Sequence, residues 1–295
     1  MRSVYLGTSA FAVGVLRALA SSPHRPELVV TRPDRPRGRG RHLASPLVAE
    51  AARELDIDLY QPESVNDEPA LARIAAARAD VVCVCAFGAL ITEPLLSSYE
   101  LLNVHPSLLP RWRGAAPIER AIMAGDTQTG VSIMRVTAGL DSGPVCAQAR
   151  EQVGPGDTYG TLAGRLQTLG GELLIGALDS RPACHEQGEE LATYADKLSA
   201  EDRALDPSRS AVELERIVRA LAPHIGARVP LPDGSQLGVW AARAIAACDL
   251  PEGELSLDGA APILGCADGA LELLAVQPPG RRAMAAADFL RGRRG

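Results

Sequence analysis

The stretch ADVVCVC, residues 79–85, is strongly apolar and rich in β-branched side chains. Such a run is typical of a central strand that is buried on both faces of a parallel sheet. Shorter apolar runs occur at residues 4–6, 28–30 and 101–104, and residues 10–20 between the first two have apolar side chains at helical spacing. Strands that alternate with helices predict an α/β domain with a mostly parallel sheet covered on both faces.

The pattern then changes. Residues 130–136 and 145–153 alternate apolar and polar side chains with a period of two, which predicts two strands. Between them lies the turn-rich segment GLDSG, residues 139–143, which we interpret as a functional loop. Residues 158–178 then have the spacing of a long helix.

A second, smaller domain is predicted in the C-terminal third. Residues 181–206 are charged and weakly periodic, so we interpret them as a linker between domains. Residues 211–221 have helical spacing, and short apolar runs separated by turn signals fill residues 227–276. About five short strands at this spacing predict a small β-barrel. We therefore expect a first domain at 1–180, the linker, and a barrel domain at 207–295.

Composition argues against several classes of protein. The net charge of −6 argues against a general coat for nucleic acid, and no GxGxxG follows the first strand, which argues against a nicotinamide cofactor. The six cysteines include no CxxC and no zinc spacing, so we expect small buried side chains in a reducing compartment and no metal site. With no signal peptide before the first strand and no apolar run of about 18 residues, we expect a cytoplasmic monomer without a membrane span.

Two polar side chains mark the end of the strand predicted at residues 101–104. Asn103 and His105 are two positions apart, so on a strand they project from the same side. Ligands bind at the carboxyl edge of open α/β sheets, which is where this strand ends. An amide donor beside an imidazole can stabilise an oxyanion and transfer a proton. The alternative is a structural histidine, which is the more frequent role at a strand end.

The segment that follows favours a catalytic interpretation. Residues 107–114, SLLPRWRG, place Leu108 and Leu109 in a proline-stiffened loop, where exposed apolar side chains predict the wall of a pocket. Asp141, in the glycine-bounded loop at 139–143, adds a carboxylate. An aspartate in such a loop is also a common turn residue, so this position alone does not decide between the two roles.

The run NVHPSLLPRWRGAAPI, residues 103–118, resembles the formyltransferase family that uses 10-formyltetrahydrofolate. Within that family the resemblance is greatest to the enzymes that act on methionyl-tRNA. It spans nearly the whole chain and includes residues 31–46, 139–143, 193–198 and 274–284. The resemblance implies a Rossmann-like domain followed by a barrel of the oligonucleotide-binding type, which agrees with the pattern of strands and helices.

The resemblance also implies roles for individual residues. Asn103 would donate to the developing oxyanion, His105 would share that role and transfer a proton, and Asp141 would orient His105 and favour its charged form. The segment that lines the folate site in the family corresponds to Ser107, Leu108, Leu109 and Pro110. The implied reaction passes the formyl group of 10-formyltetrahydrofolate, a co-substrate, to the α-amino group of methionyl initiator tRNA, and it needs no metal.

A basic segment distinguishes this interpretation from its rivals. Residues 32–41, RPDRPRGRGR, contain five arginines and too many prolines and glycines for a helix, so we expect an extended, mobile loop at the same sheet edge. The loop could be solvated surface or could bind tRNA phosphates. The resemblance favours tRNA and matches Arg39 to the key arginine, with Arg35, Arg37 and Arg41 beside it. The rivals are a formyltransferase for a small amine and a folate- or RNA-binding module without turnover.

Overall fold

The computed structural model describes residues 1–37, 42–246 and 248–294 of the chain. The strands in these residues are β1 Ser3–Gly7, β2 Pro26–Val30, β3 Arg35–Arg37, β4 His42–Ala44, β5 Asp58–Tyr60, β6 Val81–Cys85, β7 Leu101–His105, β8 Arg113–Gly114, β9 Gln128–Arg135, β10 Val145–Gln152, β11 Tyr194–Ala195, β12 Ala227–Pro230, β13 Gln236–Ile245, β14 Leu255–Ser256, β15 Ile263–Gly265, β16 Ala270–Gln277 and β17 Met284–Ala285.

The helices in the same residues are α1 Ala10–Ala20, α2 Leu47–Glu54, α3 Glu68–Ala76, α4 Leu95–Ser98, α5 Pro117–Ala124, α6 Tyr159–Ser180, α7 Ala211–Leu221 and α8 Ala286–Arg294, with short 3-10 helices at Glu189–Leu191 and Glu201–Arg203. α7 has the bounds predicted from its spacing. It begins with a capping box, in which the Ser210 side chain and the Glu213 side chain each bond the other's backbone. None of the helices described is both long and apolar enough to cross a membrane.

Seven strands form the larger sheet, in the order β10-β9-β7-β6-β1-β2-β5. β6, which corresponds to the apolar run at residues 79–85, is buried at every position and pairs in parallel with β1 and β7. β2 and β5 extend the parallel part on one side, whereas β9 and β10 are antiparallel. The mostly parallel α/β sheet that the sequence predicts is therefore confirmed.

The two strands predicted after the parallel part are β9 and β10, and residues 136–144 join them. β9 also pairs with β7 in the opposite direction, so that Leu102 faces Arg135 and His105 faces Ser132. Arg135 is the last residue of β9, which means that the joining loop begins beside Leu102. To come near His105 the loop has to return along β7 by roughly 10 Å.

The C-terminal sheet is antiparallel and has the strand order β12-β13-β16-β15-β14, with β17 paired to β16. It curls into a half-barrel, which confirms the small β-domain expected from residues 227–276. Its core is aliphatic, because α7 packs Leu214 and Val218 against Leu237 and Leu271 of the strands. This agrees with an aromatic content of only 3%.

Packing divides the chain into two compact units. Unit 1 comprises Met1–Gly114, Gln128–Gln152 and Ala163–Tyr194, and unit 2 comprises Ala115–Thr127, Val153–Leu162 and Ala195–Gly295. Unit 2 therefore contains α5 and the start of α6 as well as the C-terminal sheet. The domain boundaries expected at 1–180, 181–206 and 207–295 follow the order of the sequence and stay a prediction, because packing groups residues by contact instead.

Residues 35–37 of the basic segment, which were expected in an extended loop, form a short strand instead. β3, Arg35–Arg37, pairs in antiparallel fashion with β4, His42–Ala44. The exposed Arg35 side chain forms an ion pair with Glu63. Arg39 and Arg41 lie outside the described residues, so their roles stay predictions.

The cysteines differ from the expected set of six buried, reduced side chains. Cys146 and Cys184 form a disulfide, and Cys248 is exposed. Burial raises the pKa of the Cys83 and Cys85 thiols to about 12. The disulfide joins residues 38 positions apart, and short-range spacing rules do not detect such a pair.

We expect alkylation to distinguish the exposed, the buried and the disulfide-bonded cysteines. In the native protein without reductant, iodoacetamide at about pH 8 should modify Cys248 alone, because the other three free thiols are buried and burial raises their pKa. After denaturation without reductant four cysteines should react. Reduction should then release the remaining two, which intact-mass spectrometry counts. Six modified cysteines before reduction would contradict the disulfide.

Candidate active site

β7 brings the predicted amide and imidazole to the carboxyl edge of the parallel strands. Asn103 is half-buried, and the His105 side chain is only 5% exposed. Within the described part of the chain the Asn103 side-chain amide makes no hydrogen bond. The N–H groups of this amide can therefore donate to a ligand, which suits Asn103 to the oxyanion role that the sequence suggests.

Two partners fix the His105 ring. Its Nε2 lies 2.8 Å from the Trp112 carbonyl oxygen, and its Nδ1 lies 3.5 Å from Asp141 Oδ2. A carbonyl oxygen can only accept, so Nε2 carries a hydrogen in every protonation state that keeps this bond. The nitrogen that gains or loses a proton is therefore Nδ1, which faces the Asp141 carboxylate.

The Trp112 carbonyl is presented by an unusual backbone. Trp112 has φ of +63°, in the left-handed region that large side chains rarely adopt. Its N–H donates to Thr193 Oγ1 at 2.9 Å, and the Arg111 guanidinium lies 4.3 Å from the centre of its ring. These contacts stabilise the turn that directs the carbonyl toward His105.

Asp141 approaches His105 from the loop at 136–144, and its carboxylate is bound by a main-chain donor. Gly114 N–H donates to Asp141 Oδ2 at 2.8 Å. The Asp141 side chain is 18% exposed and its φ is +44°, a conformation in which aspartate is tolerated better than most residues. The structure therefore brings Asp141 to His105, which lies two positions after Asn103 on β7.

The segment at 107–110 is more buried than expected. Ser107 is fully buried and Leu109 is 5% exposed, while the other two residues are half-buried. Ser132 Oγ donates to the Ser107 carbonyl at 2.6 Å and accepts from Leu109 N–H at 3.0 Å, and Gln148 Nε2 donates to the Leu109 carbonyl at 2.9 Å. The expectation of two exposed leucines is wrong for Leu109, so Leu108 and Pro110 are the side chains left to line a pocket.

Sequence reasoning missed several partners of this site. Thr193 and Gln187 come from residues 181–206, which were predicted as a linker, and Trp112 contributes through its backbone. A charged, weakly periodic stretch carries no signal for such contacts. Among the described residues, no three His, Cys, Asp or Glu side chains group as a metal ion would require.

Comparison with known proteins shows the family of this chain. A family model described as formyl transferase matches residues 1–178, and a model of the formyl transferase C-terminal domain matches residues 197–294. The chain belongs to the formyltransferase family. This formyltransferase is 41% identical to the methionyl-tRNA formyltransferase of Methylococcus capsulatus, over 98% of the chain and 96% of the relative. It is 42% identical to the enzyme of the same name from Methylobacillus flagellatus, over 99% and 96%.

Solved structures share the fold of this formyltransferase. HypX from Aquifex aeolicus, in complex with tetrahydrofolic acid, has a TM-score of 0.66 and 17% identity, over 98% of the chain and 47% of HypX. An N-formyltransferase from Helicobacter canadensis, in complex with folinic acid and dTDP-3-aminofucose, has a TM-score of 0.67 and 12% identity, over 92% and 98%.

The His105 hydrogen bonds of the formyltransferase predict a specific NMR result. In a pH titration followed through the imidazole ¹⁵N shifts, Nε2 should keep the shift of a protonated nitrogen throughout, while only Nδ1 should change, because the Trp112 carbonyl can bind only N–H. A His105→Asn variant assigns the signals. A neutral ring protonated on Nδ1 would contradict the geometry.

Proposed function

We propose that this chain transfers the formyl group of 10-formyltetrahydrofolate to the α-amino group of methionyl initiator tRNA, giving formylmethionyl-tRNA for translation initiation in the cytoplasm. The observation that carries the proposal is the pairing of His105 with Asp141, 3.5 Å apart, beside an Asn103 amide with no hydrogen bond to the described protein. The near full-length identity of 41% to a methionyl-tRNA formyltransferase supports the choice of acceptor.

The residues beside this group suit a folate. Leu108 and Pro110 are half-buried apolar side chains in the loop that follows β7, and the Ser107 and Leu109 backbone is fixed by hydrogen bonds from Ser132 and Gln148. A rigid apolar wall with a few polar groups is what a flat, aromatic ligand requires. Bound there, the folate would supply an already activated formyl group.

Asn103 stabilises charge in this scheme. When an amine attacks a formyl carbon, negative charge develops on the formyl oxygen, and a fixed donor that binds it lowers the barrier. The Asn103 amide sits on a buried sheet strand, so its position costs no reorganisation during the reaction. The attacking amine has to be unprotonated, which free α-amino groups achieve around pH 7.7–8.0.

His105 and Asp141 transfer the proton that the attacking amine loses. Nε2 is occupied by the Trp112 carbonyl, so Nδ1 is the nitrogen able to exchange a proton, and Asp141 stabilises the imidazolium that results. Asp141 is in turn fixed by Gly114 N–H. As the formyl carbonyl re-forms, the bond between the formyl carbon and the folate N10 breaks, and the proton lost by the amine is returned to N10 of the departing tetrahydrofolate. Asn103 thus stabilises charge, and the His105–Asp141 pair transfers the proton.

The hairpin at residues 35–44 is proposed to bind the tRNA. It follows β2, whose carboxyl end lies at the same edge of the sheet as that of β7. Arg35 and Arg37 belong to β3, Arg39 and Arg41 follow them in the sequence, and arginine binds phosphates without reading sequence. A cationic arm at this edge would direct the end of an acceptor stem toward Asn103.

Incubation with methionyl-tRNA and 10-formyltetrahydrofolate, followed by detection of formylmethionine, tests the function directly. We expect formylmethionyl-tRNA in the complete mixture and none when either substrate is omitted. If the protein formylated a small amine, such as glycinamide ribonucleotide or an amino sugar nucleotide, but not methionyl-tRNA, the proposed acceptor would be wrong. Folate binding with no turnover on any amine would leave a binding module instead.

Replacing Asn103 tests the oxyanion role. Asn103→Ala should fold normally and lose on the order of 100- to 1000-fold in kcat, the usual cost of one oxyanion donor. Gln236→Ala, an exposed amide on β13, is the matched control and should keep full activity. Circular dichroism checks the fold, and near wild-type turnover in a folded Asn103→Ala protein would remove Asn103 from the mechanism.

The salt dependence of tRNA binding tests whether the hairpin contacts phosphates. Arg39→Ala should weaken the use of methionyl-tRNA while folate binding stays unchanged. The logarithm of the tRNA association constant should fall with the logarithm of the salt concentration, and each lost phosphate contact should make this slope less steep by about 0.7–0.9. Arg17→Ala, which removes an exposed arginine of α1, is the control. Unchanged affinity and slope in the Arg39 variant would make the hairpin an ordinary surface feature.

A further inference from the structure

The loop that carries Asp141 is bound through its backbone by a side chain from the predicted linker. Gln187 Nε2 donates to the Asp141 carbonyl at 2.9 Å and to the Gly143 carbonyl at 2.7 Å. At Gly143 the loop passes so close to β9 that a Cβ would lie 2.0 Å from the Arg135 carbonyl oxygen. One amide group thus uses both of its N–H donors to close the glycine-bounded turn around Asp141.

Gln187 is itself fixed by a buried arginine. Arg113 Nε donates to Gln187 Oε1 at 3.0 Å, which leaves the amide nitrogen directed at the loop. The Arg113 guanidinium also makes two hydrogen bonds to Glu189, at 2.9 and 2.8 Å, and Arg113 is only 2% exposed. The hydrogen bonds from Arg113 lower the pKa of Glu189, so this ion pair stays charged around neutral pH.

The segment that carries Gln187 is also bound to the start of β10. Val145 and His185 exchange both backbone hydrogen bonds at 2.8 Å, and the Cys146–Cys184 disulfide lies beside them. Residues 184–189 are therefore anchored at one end by β10 and at the other by Arg113. A side chain between two anchors has little freedom to move away from the loop.

The path of the loop shows why such anchors are needed. It leaves β9 beside Leu102 and has to return along β7 before Asp141 can face His105. Asp141 has φ of +44°, a left-handed conformation that aspartate tolerates but does not favour, so contacts with the rest of the protein are needed to keep it there. Two contacts retain the loop there: Gly114 N–H binds the Asp141 carboxylate, and Gln187 binds its carbonyl.

We propose that Gln187 is a positioning residue for the transfer reaction, which acts by holding the Asp141 carboxylate opposite His105 Nδ1. The inference rests on the proposed function only for its effect on turnover, since the contacts themselves are independent of the substrate. Adjacent residues Arg113 and Gly114 thus hold Asp141 from two sides, one through Gln187 and one directly.

Two variants test the donor role. Gln187→Ala removes both hydrogen bonds, and Gln187→Glu keeps the shape but sets carboxylate oxygens against the two carbonyls. Both should lower kcat on the order of 10- to 100-fold, the scale of a displacement of about 1 Å at a reacting group. The Michaelis constants for folate and methionyl-tRNA should change far less. Glu186→Gln, at the exposed neighbouring position, is the control and should keep wild-type kcat.

A double-mutant cycle separates positioning from general stability. If Gln187 acts through Asp141, the Asp141→Asn and Gln187→Ala double variant should be no slower than Asp141→Asn alone, because residues that act as a unit are not additive. Losses in kcat that multiply would overturn the proposal, as would wild-type kcat in both Gln187 variants.

Hydrogen exchange gives a result that does not depend on activity. In Gln187→Ala the amides of residues 136–144 should exchange faster than in the wild type, with unchanged rates in the amides paired between β6 and β7. Unchanged exchange in 136–144 would overturn the positioning role. If the wild-type protein failed to formylate methionyl-tRNA, the proposed function would fail, and the exchange rates would still decide whether Gln187 holds the loop.

Discussion

The hydrogen bond between His105 Nε2 and the Trp112 carbonyl determines what the rest of the site can do. Because the carbonyl accepts permanently, the ring cannot turn over or change tautomer without losing a buried bond, and Nδ1 stays directed at Asp141. Trp112 occupies a backbone conformation that needs support from Thr193. The proton chemistry of one imidazole thus depends on Thr193, which lies 81 positions after Trp112 in the chain.

The parts of the fold that could be predicted are those encoded by local periodicity. The apolar run of β6, the period-two strands β9 and β10 and the helix α7 appear where their patterns place them. The β3–β4 hairpin was not predicted, because its pairing depends on contacts between strands of three residues each. The assignment of elements to the two units could not be predicted either. α5 belongs with the C-terminal sheet because of tertiary packing, which periodicity does not encode.

In the site, too, the features encoded locally could be predicted and those that depend on tertiary contacts could not. The place of Asn103 and His105 on one side of a strand end could be predicted, because a strand projects alternate residues to one side. Gln187 could not be predicted, because its role comes from two backbone carbonyls and from Arg113, which lies 74 positions away. Leu109 gave a wrong expectation, because a leucine in a polar loop can pack inward as readily as it can face a ligand.

The discontinuous make-up of unit 2 has a consequence for synthesis on the ribosome. α5, with Ile118 and Ile122 on its buried face, emerges well before α7, the helix against which it packs. During that interval β9 and β10 are added to the larger sheet while α5 has no partner to cover its apolar face. Nascent chains of intermediate length therefore expose hydrophobic surface that the finished protein conceals, which is the state that chaperones bind.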